Sequence, residues 1–229
     1  MDYVADYKKL NKKFILKYCL DRILAVVLLV VVSPLFLLVV WIIILDGFLH
    51  PRNRGSIFYT EPRITQGRVF NIIKFRTITE EAVSWIHQEP ESRSITGCKD
   101  KTFAGKFILK WYFDELPQIF NIAKGDMSFV GPRPHVISQH EKEIEIGCLY
   151  RNIIKTGLLG IPQACKRRPE FAALLEKMAR THKPFDKALC SLDGFYAKKC
   201  MEKSVFGILL FDLSIIAQCL GVVVRGGGK

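Results

Sequence analysis

Acidic residues are scarce in this chain of 229 residues, which has 22 Asp and Glu against 34 Lys and Arg. The formal net charge is +12 at pH 7, yet the mean hydropathy is positive, at +0.17. A soluble nucleic-acid-binding protein usually gains charge at the expense of apolar residues, so this combination argues against nucleic acid as a partner. The composition favours an anionic phospholipid membrane instead.

Metal-binding motifs and a glycine-rich phosphate loop are also missing. The seven cysteines are scattered and form no Cys-x-x-Cys motif. No metal-ligand spacing connects the histidines His87, His135, His140 and His182. The sequence therefore predicts neither a zinc site nor a disulfide framework, and a reducing cytoplasm is the expected compartment. No internal repeat is visible, and the length suits one catalytic domain plus a membrane element.

One long apolar run interrupts the basic sequence. Every residue from Ile23 to Leu45 is apolar except Ser33 and Pro34. Insertion of this run into a bilayer is favoured by roughly 5–10 kcal/mol, which exceeds the roughly 3 kcal/mol cost of a proline inside a helix. Because no small-residue cleavage site follows before Asp46, the run is predicted to remain as an anchor.

The orientation of this anchor has two interpretations. Basic residues occur on both sides of the run, Arg22 before it and Arg54 after it, so both flanks have a cytoplasmic character. Ser33-Pro34 lies near the middle, where a kink would leave each half about 16 Å long, half of the hydrocarbon core. The residues alone slightly favour a single kinked span over a re-entrant hairpin.

Amphipathic helices are predicted at both ends of the chain. Leu10, Phe14 and Tyr18 recur at helical spacing within 3–19, which predicts a helix on anionic lipid or one that simply leads into the anchor. The very apolar stretch at roughly 204–224 is interpreted as a core helix or, with slight preference, a helix on the membrane surface.

Between these ends the chain has the mixed pattern of an α/β protein that is mostly helical with a small sheet. Short strands or extended segments are predicted over 57–59 and 69–76, around a turn at Gly67. Helices are predicted within 104–124, on both sides of two adjacent carboxylates, with Asp114 as the cap of the second helix.

Residues 113–134 contain the strongest functional signal. Asp114 and Glu115 are adjacent, and Pro132-Arg133-Pro134 follows shortly after them. An ionised carboxylate can attack phosphorus or hold a divalent cation. An arginine between two prolines is a pre-positioned phosphate clamp that loses little entropy on binding. The pattern therefore indicates phosphate chemistry.

Each of these features also has a simpler structural interpretation. The acid pair could only cap a helix, and Arg133 could face solvent. Lys74 and Arg76 alternate along a predicted strand and could form a solvated sheet face. Taken together on a membrane-anchored chain, they favour an enzyme that uses Mg²⁺ and a diphosphate substrate. Arg167 could extend the clamp, although a basic surface run is the commoner explanation.

The order of several motifs resembles that of the bacterial sugar transferases, the monotopic polyprenyl-phosphate phosphoglycosyl transferases. The resemblance covers about residues 14–220, and the block 113–134 is its most specific part. The motifs that carry it are Ser33-Pro34, Lys74-Phe75-Arg76-Thr77, Asp114-Glu115-Leu116-Pro117-Gln118, Lys124-Gly125-Asp126-Met127-Ser128, Gly131-Pro132-Arg133-Pro134 and Gly157-x-x-Gly160-x-x-Gln163.

The resemblance implies a membrane arrangement. Residues 1–46 would form an interfacial helix and a re-entrant membrane helix broken at Ser33-Pro34, which reverses the preference for a spanning helix. Residues 47–229 would form a membrane-seated catalytic domain with interfacial C-terminal helices. The active site would face the cytoplasm at the inner membrane, and a homo-oligomer stays an open alternative.

The resemblance also implies a reaction. A sugar 1-phosphate would pass from a UDP-sugar to undecaprenyl phosphate with release of UMP, as the initiating step of surface glycan or glycoprotein synthesis. Asp114 matches the nucleophile that forms a covalent phosphosugar intermediate, and Glu115 matches a residue that assists as a base or shares Mg²⁺ with Asp114. The positions that match substrate-binding residues are Lys74, Arg76, Pro132, Arg133, Pro134 and Arg167.

The chain departs from the family pattern in three places. Leu109-Lys110-Trp111-Tyr112 replaces an Arg-Lys-Thr-Ser-like approach to the acid pair, so the role of that arginine is lost or passes to Lys110. Ile161-Pro162 replaces Trp-Ala, and Lys166-Arg167 replaces Gly-Arg. Two alternatives to an active enzyme stay open: a basic membrane-anchored binding module, and a scaffold that has lost activity.

Overall fold

The computed structural model of the chain describes residues 3–88, 100–164 and 185–224. The helices are α1 Tyr3–Leu49, α2 Glu80–Gln88, α3 Phe103–Lys110, α4 Gln118–Lys124, α5 Ile137–Glu145, α6 Tyr150–Ile153, α7 Ile161–Ala164, α8 Phe185–Glu202 and α9 Val205–Val224, with 3-10 turns at Pro51–Asn53 and Phe113–Glu115. The strands are β1 Phe58–Thr65, β2 Arg68–Phe75, β3 Ser128–Val130 and β4 Gly157–Leu159. The described part is mostly helical with small sheets, as predicted.

Helix α1 joins the predicted N-terminal helix and the membrane run into one element of 47 residues. It continues through Ser33-Pro34, where the Ser33 hydroxyl donates to the Val30 carbonyl at 2.7 Å. A proline removes one backbone hydrogen bond and kinks a helix without ending it when the flanking residues pack. The structure therefore does not show the hairpin that the resemblance implies. Its segment Lys13–Leu49 is long and apolar enough to cross a membrane.

One face of α1 packs along the rest of the protein on both sides of Pro34. The buried residues of this face recur three, four or seven positions apart in most cases: Phe14, Tyr18, Asp21, Ala25, Val39, Ile43 and Asp46. The opposite face is exposed and apolar, with Val30 72% and Trp41 59% exposed. α1 thus contributes a stripe to the core while presenting a second apolar stripe to its surroundings.

A buried ion cluster joins α1 to the C-terminal part of the chain. The Lys17 ammonium lies 3.0 Å from Asp21 and 3.0 Å from Asp212 of α9, and it donates to Ser128 Oγ at 2.5 Å. Lys17 is 1% exposed, so its charge must be compensated by these neighbours. The cluster fixes the rotation of α1 against β3 and α9.

A second contact holds α1 against the end of α4. Gly125, which follows α4, has φ +90°, and a β-carbon there would overlap the guanidinium of Arg22. Arg22 donates to the carbonyl of Lys124 at 2.5 Å. A cation at the C-terminus of a helix is favourable, because the last carbonyls have no partner inside the helix.

The final helix, α9, has one buried side and one exposed apolar side. Ile208 and Ile215 of α9 are buried in the core, whereas Phe206 and Leu213 are exposed. One side of α9 is therefore a core face, and the other is an apolar face open to the surroundings.

Within the described residues, the strands form two sheets of two strands each. β1 and β2 pair antiparallel in the register Phe58↔Phe75 to Thr65↔Arg68, which confirms the two predicted strands and the turn at Gly67. The first strand is longer than predicted, since it runs from Phe58 to Thr65 rather than over 57–59. β3 and β4 pair parallel, with Ser128 opposite Gly157. The sequence did not predict this second pair, because three-residue strands show no alternation.

One prediction from the cysteines is wrong. Cys148 is buried and disulfide-bonded. Cys19, Cys200 and Cys219 are free. The scattered spacing of the cysteines does not show such a bond, because a disulfide depends on distance in the folded chain.

Helix α3 is held closely against the strand region, and this contact can be tested. A β-carbon at Gly105 would lie 2.0 Å from the Thr77 carbonyl oxygen, whereas one at Gly221 of α9 would meet nothing within 4 Å. Gly105→Ala is expected to destabilise the fold by about 1–3 kcal/mol, the scale of overpacking. The matched Gly221→Ala is expected to be neutral or to stabilise by up to about 1 kcal/mol. Thermal unfolding in detergent measures both, and equal effects would contradict the close contact.

Candidate active site

Asp114 and Glu115 lie in a 3-10 turn, Phe113–Glu115, between α3 and α4. Tyr112, directly before the turn, has φ +57°, a left-handed conformation that is uncommon for a residue with a side chain. The prediction that Asp114 caps α4 is wrong, since α4 begins after Pro117 and has no side-chain cap. The carboxylates instead project from a strained turn, with Asp114 9% exposed.

Arg133 of the Pro-Arg-Pro loop reaches this turn. Its Nη2 donates to Glu115 Oε1 at 3.1 Å, and the arginine side chain stays 39% exposed. A charge-assisted contact of this kind holds both side chains while leaving the guanidinium accessible to a further anion. The structure thus brings together two of the predicted site residues that are 18 positions apart in the chain.

Lys74 of β2 belongs to the same cluster of charges. Burial lowers its pKa, with Arg133 acting in the same direction and with Glu115 and Asp114 opposing the shift. Burial also raises the pKa of Tyr112, and the neighbouring Glu115 and Asp114 add to that rise. Two carboxylates, an ammonium, a guanidinium and a phenol therefore act on one another at this turn.

Helix α4 explains how Lys74 reaches the turn. Asn121 of α4 donates to the Asn71 carbonyl at 2.8 Å and accepts from the Ile73 amide at 3.0 Å. The Asn121 side chain makes the backbone hydrogen bonds that a neighbouring strand would make with β2. It thereby fixes α4 beside Lys74. The carboxylate turn precedes α4 directly, so the position of Asn121 sets the distance between Lys74 and the acids.

The Pro132–His135 loop is held by three hydrogen bonds from different elements. Gly157 N donates to the Pro132 carbonyl at 2.8 Å, and Ile64 N donates to the His135 carbonyl at 3.2 Å. Arg151 Nε donates to the Arg133 carbonyl at 2.8 Å. The clamp predicted from its prolines is thus also positioned by strand β1, strand β4 and one buried arginine.

A buried polar network surrounds Arg151. Its Nη1 lies 2.7 Å from Glu143 Oε1, and its Nη2 lies 2.9 Å from Asp193 Oδ2. His135 Nδ1 lies 2.7 Å from the same Glu143 oxygen, which is 0% exposed. Burial raises the pKa of Asp193 to about 6 and lowers the pKa of His135. No sequence pattern signals this network, because its members come from α5, α6, α8 and the loop.

Two of the predicted substrate-binding residues are not placed at this cluster. Arg76 is 3% exposed and donates to the carbonyls of Ser56, Ile78 and Asn53 at 2.5, 2.6 and 2.7 Å. Its guanidinium holds the segment after α1 in place, and its predicted role in substrate binding stays a prediction. Arg167 lies outside the described residues.

The donor set can be compared with the needs of a metal ion. Within the described residues no group of three or more His, Cys, Asp or Glu side chains is arranged to hold a metal. Mg²⁺ often binds through only one or two carboxylates, with water and substrate phosphates completing its shell. Asp114 and Glu115 fit that mode of binding and do not fit a site made of protein ligands alone.

The family profile of the bacterial sugar transferases matches residues 12–226, so the chain belongs to this family. It is 34% identical over 152 residues to the UDP-N-acetylgalactosamine-undecaprenyl-phosphate N-acetylgalactosaminephosphotransferase of Aeromonas hydrophila, with 65% of this chain and 33% of the relative covered.

Two further relatives show the range of the similarity. The chain is 30% identical over 166 residues to the UDP-glucose:undecaprenyl-phosphate glucose-1-phosphate transferase of Klebsiella pneumoniae, covering 70% of this chain and 33% of the relative. It is 37% identical over 142 residues to the exopolysaccharide production protein ExoY of Sinorhizobium fredii, covering 57% of this chain and 58% of the relative. The chain thus spans about a third of the length of the first two relatives.

The Arg151 network generates a stability prediction. Arg151→Met would leave Glu143 and Asp193 buried without their cation, at an expected cost of about 3–5 kcal/mol. The control Arg52→Met removes an arginine that is 69% exposed and whose ion pairs with Glu81 and Asp100 are long, so it should cost at most about 1 kcal/mol. Urea unfolding in detergent measures both, and similar midpoints would show that the network does not stabilise the fold.

Proposed function

We propose that this protein transfers a sugar 1-phosphate from a UDP-sugar to undecaprenyl phosphate and releases UMP, as the initiating step of surface glycan or glycoprotein synthesis. The observation that carries the proposal is the Asp114 turn, where Arg133 contacts Glu115 at 3.1 Å and Lys74 acts on both acids. Family membership supports the reaction class, and the names of the relatives support undecaprenyl phosphate as acceptor and a UDP-sugar as donor.

The first half-reaction uses Asp114 as nucleophile. A carboxylate oxygen attacks the β-phosphorus of the UDP-sugar, the bond to the bridging oxygen breaks, and UMP leaves with the electron pair of that bond. A carboxylate approaches a diphosphate only if nearby cations offset the repulsion between negative charges. Arg133, from the loop after β3, and Lys74, from β2, supply those cations. The contact with Glu115 holds the Arg133 guanidinium in position.

The second half-reaction restores Asp114. A phosphate oxygen of undecaprenyl phosphate attacks the phosphorus of the phosphosugar, and the bond from that phosphorus to the Asp114 oxygen breaks. The product carries a diphosphate between lipid and sugar. We assign to Glu115, the neighbour of Asp114 in the same turn, the role of accepting a proton from the incoming phosphate.

Magnesium would be held by Asp114 or Glu115 together with the substrate diphosphate. When bound, it supplies further neutralisation of the phosphate charge. The basic residues would then orient the remaining phosphate oxygens, and the strained Tyr112 backbone would keep the carboxylates from turning away.

The packing of α1 favours a re-entrant arrangement at the cytoplasmic face. Its N-terminal half packs in the same core as Ile119, Phe129 and Ile208, and its C-terminal half packs with Phe75 and Ile108. A helix that crossed the bilayer could not keep both halves against one domain, since that domain lies on one side. We therefore propose that α1 dips into the bilayer along its exposed apolar stripe, with both of its ends on the cytoplasmic side.

The assignment of the nucleophile is tested by Asp114→Asn. With Mg²⁺, undecaprenyl phosphate and a panel of UDP-sugars, the variant is expected to release UMP at least about 10³-fold more slowly than wild type, the scale for loss of a covalent nucleophile. Glu145→Gln, an exposed acid on α5, is the matched control and should retain wild-type rates.

Wild-type protein should also release UMP, up to about one equivalent, before acceptor is added, because the first half-reaction needs no lipid. Turnover by Asp114→Asn at wild-type rate would remove the covalent mechanism. No turnover by folded wild type with any UDP-sugar would favour the binding module or the inactive scaffold.

The membrane arrangement is tested with single-cysteine variants and a membrane-impermeant maleimide. One variant retains only Cys19, which is exposed before the apolar run, and the other carries Arg52→Cys as its only reactive thiol. Both are expected to react in inside-out vesicles and neither in right-side-out vesicles, because both ends of α1 face the cytoplasm. Labelling of the two positions from opposite sides would show a spanning helix instead.

A further inference from the structure

Helix α3 has an exposed face that the proposed reaction does not use. Ala104, Gly105, Ile108 and Leu109 are buried against the protein. The aromatic residues on the other side recur four positions apart, with Phe103 72%, Phe107 47% and Trp111 38% exposed. An apolar stripe of this kind at the surface marks an interaction site when it is continuous with another such surface.

The exposed apolar face of α3 is continuous with the exposed apolar stripe of α1. The Asp46 carboxylate near the end of α1 accepts from the Ala104 amide at 2.8 Å, which fixes the start of α3 beside α1. The rings of His50 and Phe103 have centroids 6.1 Å apart. On the exposed stripe of α1, Phe48 is 73% exposed at the same end. The two apolar faces therefore meet where α1 ends.

The charge of α3 matches an anionic lipid. Lys106 and Lys110 are exposed between the aromatic residues, and the helix contains no acidic residue. Lys110 Nζ lies 5.8 Å from the centroid of the Trp111 ring. Tryptophan beside lysine is typical of the headgroup region, where the ring lies among the upper acyl chains and the ammonium contacts phosphates.

We propose that the exposed face of α3, formed by Phe103, Lys106, Phe107, Lys110 and Trp111, lies in the headgroup region of an anionic phospholipid bilayer. This face is a second membrane contact beside α1. Trp111 occupies one of the positions where the chain departs from its family pattern.

The contact has a consequence for catalysis that rests on the proposed function. Asp114 follows Trp111 by three residues, a separation of at most about 10 Å along the chain. Lipid contact at Trp111 therefore places the Asp114 turn at the height of the lipid headgroups. A lipid-linked phosphate lies at that height, so the acceptor reaches the carboxylate without leaving the bilayer.

The chain offers its own probes, because its three tryptophans are Trp41 on α1, Trp85 on α2 and Trp111 after α3. Trp85 is 54% exposed, like the others, but Glu81 lies one turn before it. Three variants, each retaining one tryptophan and carrying Phe at the other two positions, are inserted in vesicles of brominated phosphatidylglycerol. Trp41 serves as the positive control and Trp85 as the matched exposed control.

Fluorescence of Trp41 and Trp111 is expected to be quenched by the brominated lipid, with Trp111 reaching at least half of the quenching of Trp41, while Trp85 stays unquenched. Trp111 as unquenched as Trp85 would overturn the proposal. Quenching of Trp111 should be stronger in brominated phosphatidylglycerol than in brominated phosphatidylcholine. Equal quenching would overturn the part assigned to Lys106 and Lys110.

A kinetic measurement separates membrane contact from a structural role. Trp111→Ser is expected to raise the KM for undecaprenyl phosphate about tenfold and to leave the KM for the UDP-sugar unchanged, whereas Trp85→Ser changes neither. A change in both KM values would indicate a disturbed active site and overturn the acceptor role. The quenching experiment needs no turnover, so its result does not depend on whether the proposed reaction is correct.

Discussion

The packing of one face of α1 against the folded domain is the constraint on which the remaining structure depends. Buried residues from Phe14 to Asp46 follow this face through Pro34, and Lys17 is neutralised by acids from α1 and α9. Because a buried cation without partners costs several kcal/mol, the helix cannot rotate or slide without losing this cluster. The exposed apolar stripe of α1, the start of α3 and the end of α4 all take their positions from it.

The candidate site depends on bringing opposite charges together in a partly buried turn. Arg133 is held by its own prolines, by Gly157 and by Arg151, and it reaches Glu115 from a loop after β3. Lys74 lies on β2, which the hydrogen bonds of Asn121 hold beside this turn. Preorganised cations of this kind offset the charge of a diphosphate without moving during the reaction. The buried network around Arg151 is therefore a support for the site rather than a separate feature.

Some of this could be predicted from local patterns. The apolar run from Ile23 to Leu45, the hairpin around Gly67 and the acid pair with its Pro-Arg-Pro clamp follow from hydropathy, turn chemistry and residue type. Alternation along a strand does not show that β2 ends at Phe75 and that the Arg76 guanidinium is buried among carbonyls, and its role in substrate binding stays a prediction. The Cys148 disulfide was missed, and so was the Arg151 network, whose acids Glu143 and Asp193 lie on two other helices. The role of Arg167 stays a prediction.

The sequence by itself determined which segments are apolar, where charge accumulates and which residues have the chemistry for phosphate transfer, because these depend on residue type and short spacing. Only the tertiary structure decided that α1 continues through Pro34 and packs on both sides of it, that Glu115 meets Arg133, and that the faces of α1 and α3 adjoin. Those features depend on contacts between residues far apart in the chain, where the gain from packing and charge compensation exceeds any local preference.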